Sequence, residues 1–445
     1  MFDAATQAKR RHGPRGHFDP WLLVALVGLA SVGVVMVASS SIAVADSQQL
    51  GAFYFLRRHL VFLGLGMVVA GLAMRTELRL LEKFAFPLLA LAFVLLLAVF
   101  VPHLGMRING ARRWLNLVVS KFQAVEAVKL FLIVWLASYL VRHREQVQNT
   151  WWGLVKPMGI AGTMVMLLLL QPDFGSAVLI CAIVGGMVFL GGVRIRNLVA
   201  PLLIVLPLMA LVAMSEPYRV RRLTSFLDPW SDPFDKGFQL TQALIAIGRG
   251  EWFGVGLGSS IQKLSFLPEA HTDFIFSVIA EETGFLGVTT IIVLFTLLIG
   301  RAFWLGLAAM RIKRAFAGYC AFGVALWIGL QATVSIGVNL GVLPTKGLTL
   351  PLVSSGGSSV LMTCAALGLL LRVGCEVDRT ERQIARIREG AGDVVPPTEG
   401  MIPIPSPAAS PAPLIACVVA GEPALRRPAA ISARGRIEPT LGGIG

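Results

Sequence analysis

Residues 152–193 read WGLVKPMGIAGTMVMLLLLQPDFGSAVLICAIVGGMVFLGGV. Two apolar runs, 152–170 and 174–193, are separated only by Gln171-Pro172-Asp173. A helix crosses a bilayer with about 17–25 mainly apolar residues, so each run reads as one crossing and the turn residues between them reverse the chain. Neither run alternates polar with apolar as a barrel strand does. Lipid offers no water to satisfy strand edges or irregular backbone, so a helical bundle is the remaining solution.

Working outward, eight further spans fit the same description, at 21–40, 59–74, 84–101, 124–141, 197–214, 273–300, 315–340 and 353–373. The expected fold class is all-α: a polytopic membrane helical bundle of ten transmembrane helices, with a long outer loop over 215–272 between the seventh and eighth. Composition agrees. Of 445 residues, 56% are hydrophobic and 14% charged, with mean hydropathy +0.74, whereas a soluble domain is about 25% charged. That balance excludes a disordered chain, a coiled coil and an ordinary soluble enzyme.

Residues 1–19 form a polar, charged segment, and Trp21 opens the first span as an uncleaved signal anchor. The membrane domain is expected over 20–375. Residues 376–445 read as a disordered cytoplasmic tail, with the charged stretch 378–390 able to prolong the last helix and Pro-Ala-rich sequence following from Ala391. Cys181, Cys320, Cys364, Cys375 and Cys417 fit neither a metal motif nor a disulfide framework. They read as free thiols, and no protein metal site is expected.

Ten spans put both termini on one side, and Lys9, Arg10, Arg11 and Arg15 make that side cytoplasmic. The inner connections agree: they carry Arg75, Arg79 and Lys83, then Arg142, Arg144 and Lys156, then Arg194 and Arg196, then Arg311, Lys313 and Arg314. Two outer connections break the rule and contribute to the net charge of +14. The short one after the third span has Arg107, Arg112, Arg113 and Lys121; the long one has Arg219, Arg221, Arg222, Lys236, Arg249 and Lys263. Long loops cross regardless of charge, but short ones do not, so an outward-facing anion site competes with attraction to lipid headgroups.

Ionisable side chains at membrane depth are functional candidates by default. Glu126 and Lys129 are spaced i, i+3 and can pair on one helix face, as a helix lock or as part of a site. The segment Leu267-Pro268-Glu269-Ala270-His271-Thr272-Asp273-Phe274 runs into the eighth span, which also holds Glu281 and Glu282. Asp273 stands where that helix begins, on the side that carries the basic loops. A carboxylate beside an anion-binding surface suits general-base attack on a phosphorylated donor. A simpler role is a helix-terminal carboxylate stabilised by the dipole. Gly254-Val255-Gly256-Leu257-Gly258 lacks the Gly-Lys-Ser/Thr and preceding strand of a nucleotide loop, so it reads as a kinked re-entrant or interfacial loop. No nucleic-acid partner is expected.

At these residues the sequence resembles the SEDS family of bacterial cell-wall proteins (RodA, SpoVE and FtsW), from about Asp19 to Arg372. The likeness rests on Asn109-Gly110-Ala111-Arg112-Arg113-Trp114, Gln171-Pro172-Asp173-Phe174-Gly175, Leu267-Pro268-Glu269 with His271-Thr272-Asp273-Phe274, Asn339-Leu340-Gly341, Pro344-Thr345-Lys346-Gly347-Leu348-Thr349-Leu350-Pro351 and Gly356-Gly357-Ser358-Ser359. The Thr345–Pro351 form looks like the division branch, FtsW. One departure is Gln123-Ala124-Val125-Glu126, where the family commonly has Gln-Pro-Ser-Glu.

The resemblance implies a peptidoglycan glycosyltransferase that polymerises lipid II at the periplasmic face during septal wall synthesis. Asp273 is then the catalytic carboxylate, with Trp114, Arg112, Arg113, Glu126, Lys129, His271 and Lys346 as substrate-binding candidates. It implies lipid II as substrate, a class B penicillin-binding protein (FtsI) and other division proteins as partners, and the inner membrane at the septum as location. A divalent cation, Mg²⁺ or Mn²⁺, is a candidate at the pyrophosphate. Competing readings are a lipid II flippase, for which Glu281 and Glu282 are the deeper polar groups, an elongation-type polymerase, and a scaffold.

Overall fold

A computed structural model describes residues 19–108, 111–117, 120–215, 220, 225–234, 237–264, 267–344 and 347–392. In chain order the elements are α1 (Pro20–Ser47), α2 (Tyr54–Arg75), α3 (Leu78–Lys83), α4 (Ala85–Ala98), β1 (Gly105–Ile108), β2 (Ala111–Leu117), β3 (Ser120–Gln123), α5 (Ala124–Arg142), α6 (Arg144–Asn149), α7 (Trp152–Leu170), α8 (Phe174–Leu190), α9 (Ile195–Met214), α10 (Phe238–Arg249), α11 (Ile275–Arg311), α12 (Ala315–Asn339) and α13 (Gly357–Gly392).

Each expected span overlaps one of these helices, but they are not all established as crossings, so the count of ten is not confirmed. Among the described residues, seven helices are long and apolar enough to cross a membrane by length and composition: α1, α2, α5, α7, α11, α12 and α13. Helices α4 and α8 are apolar but shorter, and α9 coincides with the seventh expected span. The chain is thus a multi-pass membrane protein. The two runs of 152–193 are α7 and α8, and Asp173 caps the second by accepting from Ser176 N and from Ser176 Oγ at 2.8 Å. The last helix continues through the charged 378–390 stretch to Gly392, past the boundary expected at 376. The tail beyond Gly392 lies outside the described residues.

Helix α5 is the buried centre, flanked by α4, α8 and α12, while α11 packs along α12 and α1. Between helices in lipid the hydrophobic effect gives no drive, so close backbone approach and polar contacts hold the bundle. Glycine supplies that approach: a Cβ at Gly323 of α12 would fall 2.4 Å from Ile133 Cγ2 on α5.

One connection is not helical. The short basic loop folds as a three-stranded antiparallel sheet, β1-β2-β3, with Trp114 opposite Met106 and Gln123 and with Arg107 opposite Arg112. An all-α reading missed it because strands of four to seven residues lie below the period test applied to the long spans. Ala111 and Leu115 are buried, Leu115 with Val99 and Ala124, so one sheet face packs on the bundle. Alternation then turns Arg113 inward with them and Arg112 and Trp114 the other way.

Candidate functional site

Asp273 ends a tight turn that opens α11. The carbonyl of Glu269, which sits at φ 57°, accepts from the N–H groups of Thr272, Asp273 and Phe274 at 3.1, 3.1 and 3.3 Å. This satisfies the backbone donors of the turn that leads into α11. Thr272 Oγ1 donates to Glu269 Oε2 at 2.8 Å. From α12, Asn339 Nδ2 donates to the Asp273 carbonyl at 3.0 Å, while Asn339 Oδ1 accepts from Ser277 N and Oγ at 3.1 and 2.8 Å. Asn339 is fully buried, so the backbone of Asp273 is fixed from a second helix.

The segment 347–355 lies over this turn. A Cβ at Gly347 would come 2.9 Å from Asp273 Oδ2, so glycine is what permits the approach. Ser355 N donates to the His271 carbonyl at 3.0 Å. The His271 ring stacks against Phe55, centroids 4.8 Å apart, and its Nδ1 is buried without a hydrogen-bond partner. Burial lowers its pKa from the ordinary value, with Glu269 pulling the other way. The lowered pKa favours the neutral imidazole, packed against Phe55.

Glu126 and Lys129 form a buried ion pair in α5, Nζ to Oε2 2.9 Å and Nζ to Oε1 2.9 Å. Lys129 Nζ also donates to Gln331 Oε1 at 2.7 Å and lies 4.8 Å from the Trp327 ring centroid. Trp327 Nε1 donates to the same Gln331 oxygen at 2.8 Å, and Gln331 Nε2 donates to the Thr349 carbonyl at 2.9 Å. Segment 347–355 is thus held at Thr349 by the Lys129 network and touches Asp273 at Gly347. The two candidate clusters meet through it. The missing proline before Glu126 leaves α5 beginning at Ala124, with Gln123 at its cap.

The neighbouring arginines separate in role. Arg113 Nε donates to the Gln171 carbonyl at 3.4 Å, and its Nη2 donates to the Pro172 carbonyl. It ties the sheet to the α7–α8 turn, whose Gln171 Nε2 donates to the Leu96 carbonyl at 2.8 Å. Arg112 is exposed and directly opposite the exposed Arg107. Like charges directly opposed across strands are unfavourable, so an anion between them is favoured. Trp114 is half-buried on the same strand. Lys346, with Arg219, Arg221, Arg222 and Lys236, lies outside the described residues. Among the described residues, no group of three or more His, Cys, Asp or Glu side chains gathers as a metal cluster.

The carboxylates of Glu281 and Glu282 are engaged. Glu281 Oε1 accepts from Ile261 N at 3.1 Å and pairs with Arg249 at 3.3 Å, and Ser260 Oγ donates to its Oε2. Glu282 Oε1 pairs with Lys263 Nζ at 2.8 Å, and Ser39 Oγ donates to the same carboxylate at 2.7 Å. Both are buried parts of a structural lock rather than an open polar path.

Sequence reasoning passed over Trp327, Gln331 and Asn339 as site residues. The signal was present: Trp327, Gln331, Ser335 and Asn339 recur every four residues on one face of an otherwise apolar span.

The family model described as "Cell cycle protein", covering FtsW, RodA and SpoVE, matches residues 20–379. The chain belongs to this family of membrane proteins. A curated relative from Xanthomonas oryzae pv. oryzae, named probable peptidoglycan glycosyltransferase FtsW, is 56% identical over 92% of this chain and 84% of its own. A relative of the same name from Legionella pneumophila is 47% identical over 82% of this chain and 92% of its own. Among solved structures, a chain from "Structural coordination of polymerization and crosslinking by a peptidoglycan synthase complex" is 35% identical, with TM-score 0.67 over 81% of this chain and 98% of that one. Thermus thermophilus rod shape determining protein RodA is 33% identical, with TM-score 0.59 over 80% and 96%.

Proposed function

We propose that this chain is a peptidoglycan glycosyltransferase that polymerises lipid II during septal wall synthesis, with Asp273 as general base. The observation that carries the proposal is the placement of Asp273, its backbone held by Asn339 from α12 and its carboxylate lying beside Gly347. A carboxylate on a backbone anchored from a second helix is positioned for proton transfer at low reorganisation cost.

The acceptor is the 4-hydroxyl of the N-acetylglucosamine of lipid II. Asp273 takes its proton as the oxygen attacks the anomeric carbon of the strand held on undecaprenyl pyrophosphate, and such assistance is worth about 10²–10⁴-fold. The departing pyrophosphate gains negative charge. Arg112, opposed to Arg107 and thus in want of a counter-anion, meets it through a planar fork. Trp114 offers a stacking face for sugar. Glu126 and Lys129 act through Gln331 and Thr349 on the segment over Asp273. Arg113 and His271 contribute structure to the site. A divalent cation is a candidate at the pyrophosphate: Mg²⁺ is commonly held by one or two carboxylates with phosphate oxygens and water, and Asp273 would be the protein carboxylate beside it. Bound there, it would neutralise developing pyrophosphate charge.

On this reading the Asp273 end of the bundle faces the periplasm, both termini are cytoplasmic, and the chain works at the division septum with a class B penicillin-binding protein of the FtsI type. The likeness to a chain of a complex said to coordinate polymerization and crosslinking supports that partnership. The test is to purify the chain with its cognate penicillin-binding protein and supply lipid II. Glycan strands support the proposal; lipid translocation without polymer overturns it in favour of a flippase.

A further inference from the structure

Two polar layers mark α1 and α11, which pack against each other. At one end Arg301 Nε donates to Asp19 Oδ2 at 2.9 Å, with the Arg301 guanidinium 4.2 Å from the Trp304 ring centroid and exposed Trp21 and Trp304 nearby in sequence. At the other end Ser39, Lys263 and Glu282 join the same two helices. From Asp19 to Ser39 is about 30 Å along α1, and from Arg301 to Glu282 about 29 Å along α11, at 1.5 Å per residue. Both match the roughly 30 Å hydrocarbon thickness of a bilayer. The Glu282 layer therefore lies at the acyl-chain boundary, and Asp273 precedes the short helical run 275–283 that carries Glu282.

At that boundary α11 is broken. Gly284 has φ 63° and ψ −161°, and the glycine-rich segment after α10 docks into the break. Val255 N and Gly256 N donate to the carbonyls of Glu281 and Glu282 at 2.9 and 3.1 Å, while Phe285 N and Leu286 N donate to the carbonyls of Glu251 and Trp252 at 2.9 and 3.3 Å. Backbone groups freed by the break are thus satisfied, as a lipid environment demands. A Cβ on Gly254 would fall 2.2 Å from the Glu282 carbonyl oxygen, and one on Gly284 would fall 2.4 Å from Gly254 N. The segment is clamped on its inner side by Glu281 and Glu282. On its outer side stand Trp252, Phe253, Leu257 and Phe285, 67%, 80%, 63% and 54% exposed, with Trp252 and Phe285 in edge contact at 5.3 Å.

We propose that residues 250–258, locked into the Gly284 break, form a bilayer anchor whose Trp252, Phe253 and Phe285 side chains insert at the acyl–headgroup boundary. The occupant of this apolar patch is lipid. Aromatic rings favour that depth, and Arg249 beside the segment suits the headgroup layer. The anchored break at Gly284 lies eleven residues after Asp273 on the same chain segment, so the anchor holds the start of α11, which Asp273 precedes, near the membrane surface. That placement suits sugars carried on a membrane-bound pyrophosphate, a consequence that rests on the glycosyltransferase reading; the anchor itself does not.

The test is nitroxide depth measurement on the full chain in liposomes. Spin labels are placed at F253C, at V293C in the middle of α11 and at T272C, in a background with Cys181 and Cys417 replaced by Ala. Collision with oxygen is compared with collision with a water-soluble nickel chelate. The anchor predicts that position 253 collides with both, intermediate between 293, which favours oxygen, and 272, which favours nickel. A label at 253 that matches 272 overturns the proposal, because the segment then stands in water. A label shielded from both reagents also overturns it, because protein then covers the patch. As a label-free check, lipids brominated near the carbonyl should quench the native protein more than its W252F variant; equal quenching overturns the proposal. Polymerase activity does not enter either readout.

Discussion

Removing one partner of the Glu126–Lys129 pair should be among the most damaging single changes in the bundle. Lys129 is 1% exposed and its ammonium has three supports: Glu126, Gln331 and the Trp327 ring. Glu126→Gln removes the carboxylate that pairs with it directly. Lys129→Met leaves the Glu126 carboxylate buried with no cation, although Gln331 keeps its bond from Trp327. An uncompensated buried charge costs about 3–5 kcal/mol. The double variant Glu126→Gln/Lys129→Met buries no charge, and replacing a buried pair by groups of similar volume is often neutral. Its cost should therefore fall short of the sum of the singles by at least about 2 kcal/mol, within the range seen for coupled neighbours. Unfolding of all four proteins in the same detergent closes the cycle. Polymerisation by each variant with its partner then shows whether the Gln331–Thr349 link carries the effect to Asp273. A coupling energy near zero would refute the pairing, and full activity in Lys129→Met would refute the link to the site.

Gly347→Ala should lower kcat by about tenfold or more at unchanged expression, because its Cβ would fall 2.9 Å from Asp273 Oδ2; steady-state polymerisation checks this. Arg112→Ala and Arg112→Lys should both lose kcat/KM for lipid II in detergent, whereas Arg113→Ala should chiefly lower the thermal midpoint by freeing the Gln171 and Pro172 carbonyls; the reverse pattern would exchange their roles. Asn339→Ala strands the Asp273 carbonyl and the Ser277 donors and should cost about 1–3 kcal/mol in an unfolding measurement. His271 has a folded pKa below its ordinary 6.5, so the folded state resists its protonation. Its neutral burial costs nothing above that pH; stability falls as pH drops below about 6.5 and levels off past the folded pKa. His271→Phe should flatten that part of the stability profile, and an unchanged slope would show that other groups set it.

The helices were legible because lipid leaves a plain record. The runs 152–170 and 174–193 needed only length and apolarity, and their turn was announced by Gln171-Pro172-Asp173. The sheet over 105–123 left no such record, since strands this short are written in pairing rather than in period. Arg112 and Arg113 are adjacent in sequence, and only strand alternation separates an exposed cation from one spent on turn carbonyls. The i, i+3 spacing exposed the Glu126–Lys129 pair, but Gln331 lies 202 residues from Lys129, beyond any local pattern. Glu281 and Glu282 looked like pathway groups because their partners, Ser39, Arg249, Ser260 and Lys263, are distant along the chain. The Gly254-Val255-Gly256-Leu257-Gly258 stretch was readable as a kinked loop, yet the break at Gly284 that receives it could be seen only in the fold.

In the proposed mechanism Asp273 takes the proton from the attacking sugar hydroxyl. The most direct measurement is lipid II polymerisation by Asp273→Asn, purified with its cognate penicillin-binding protein and matched to the unaltered protein in thermal midpoint and in partner binding. Asparagine keeps the shape and the Asn339 bond to the Asp273 backbone carbonyl, and loses the base. Loss of glycan strands by about 10²-fold or more in a correctly folded complex is the predicted result. Polymerisation at the unaltered rate would contradict it.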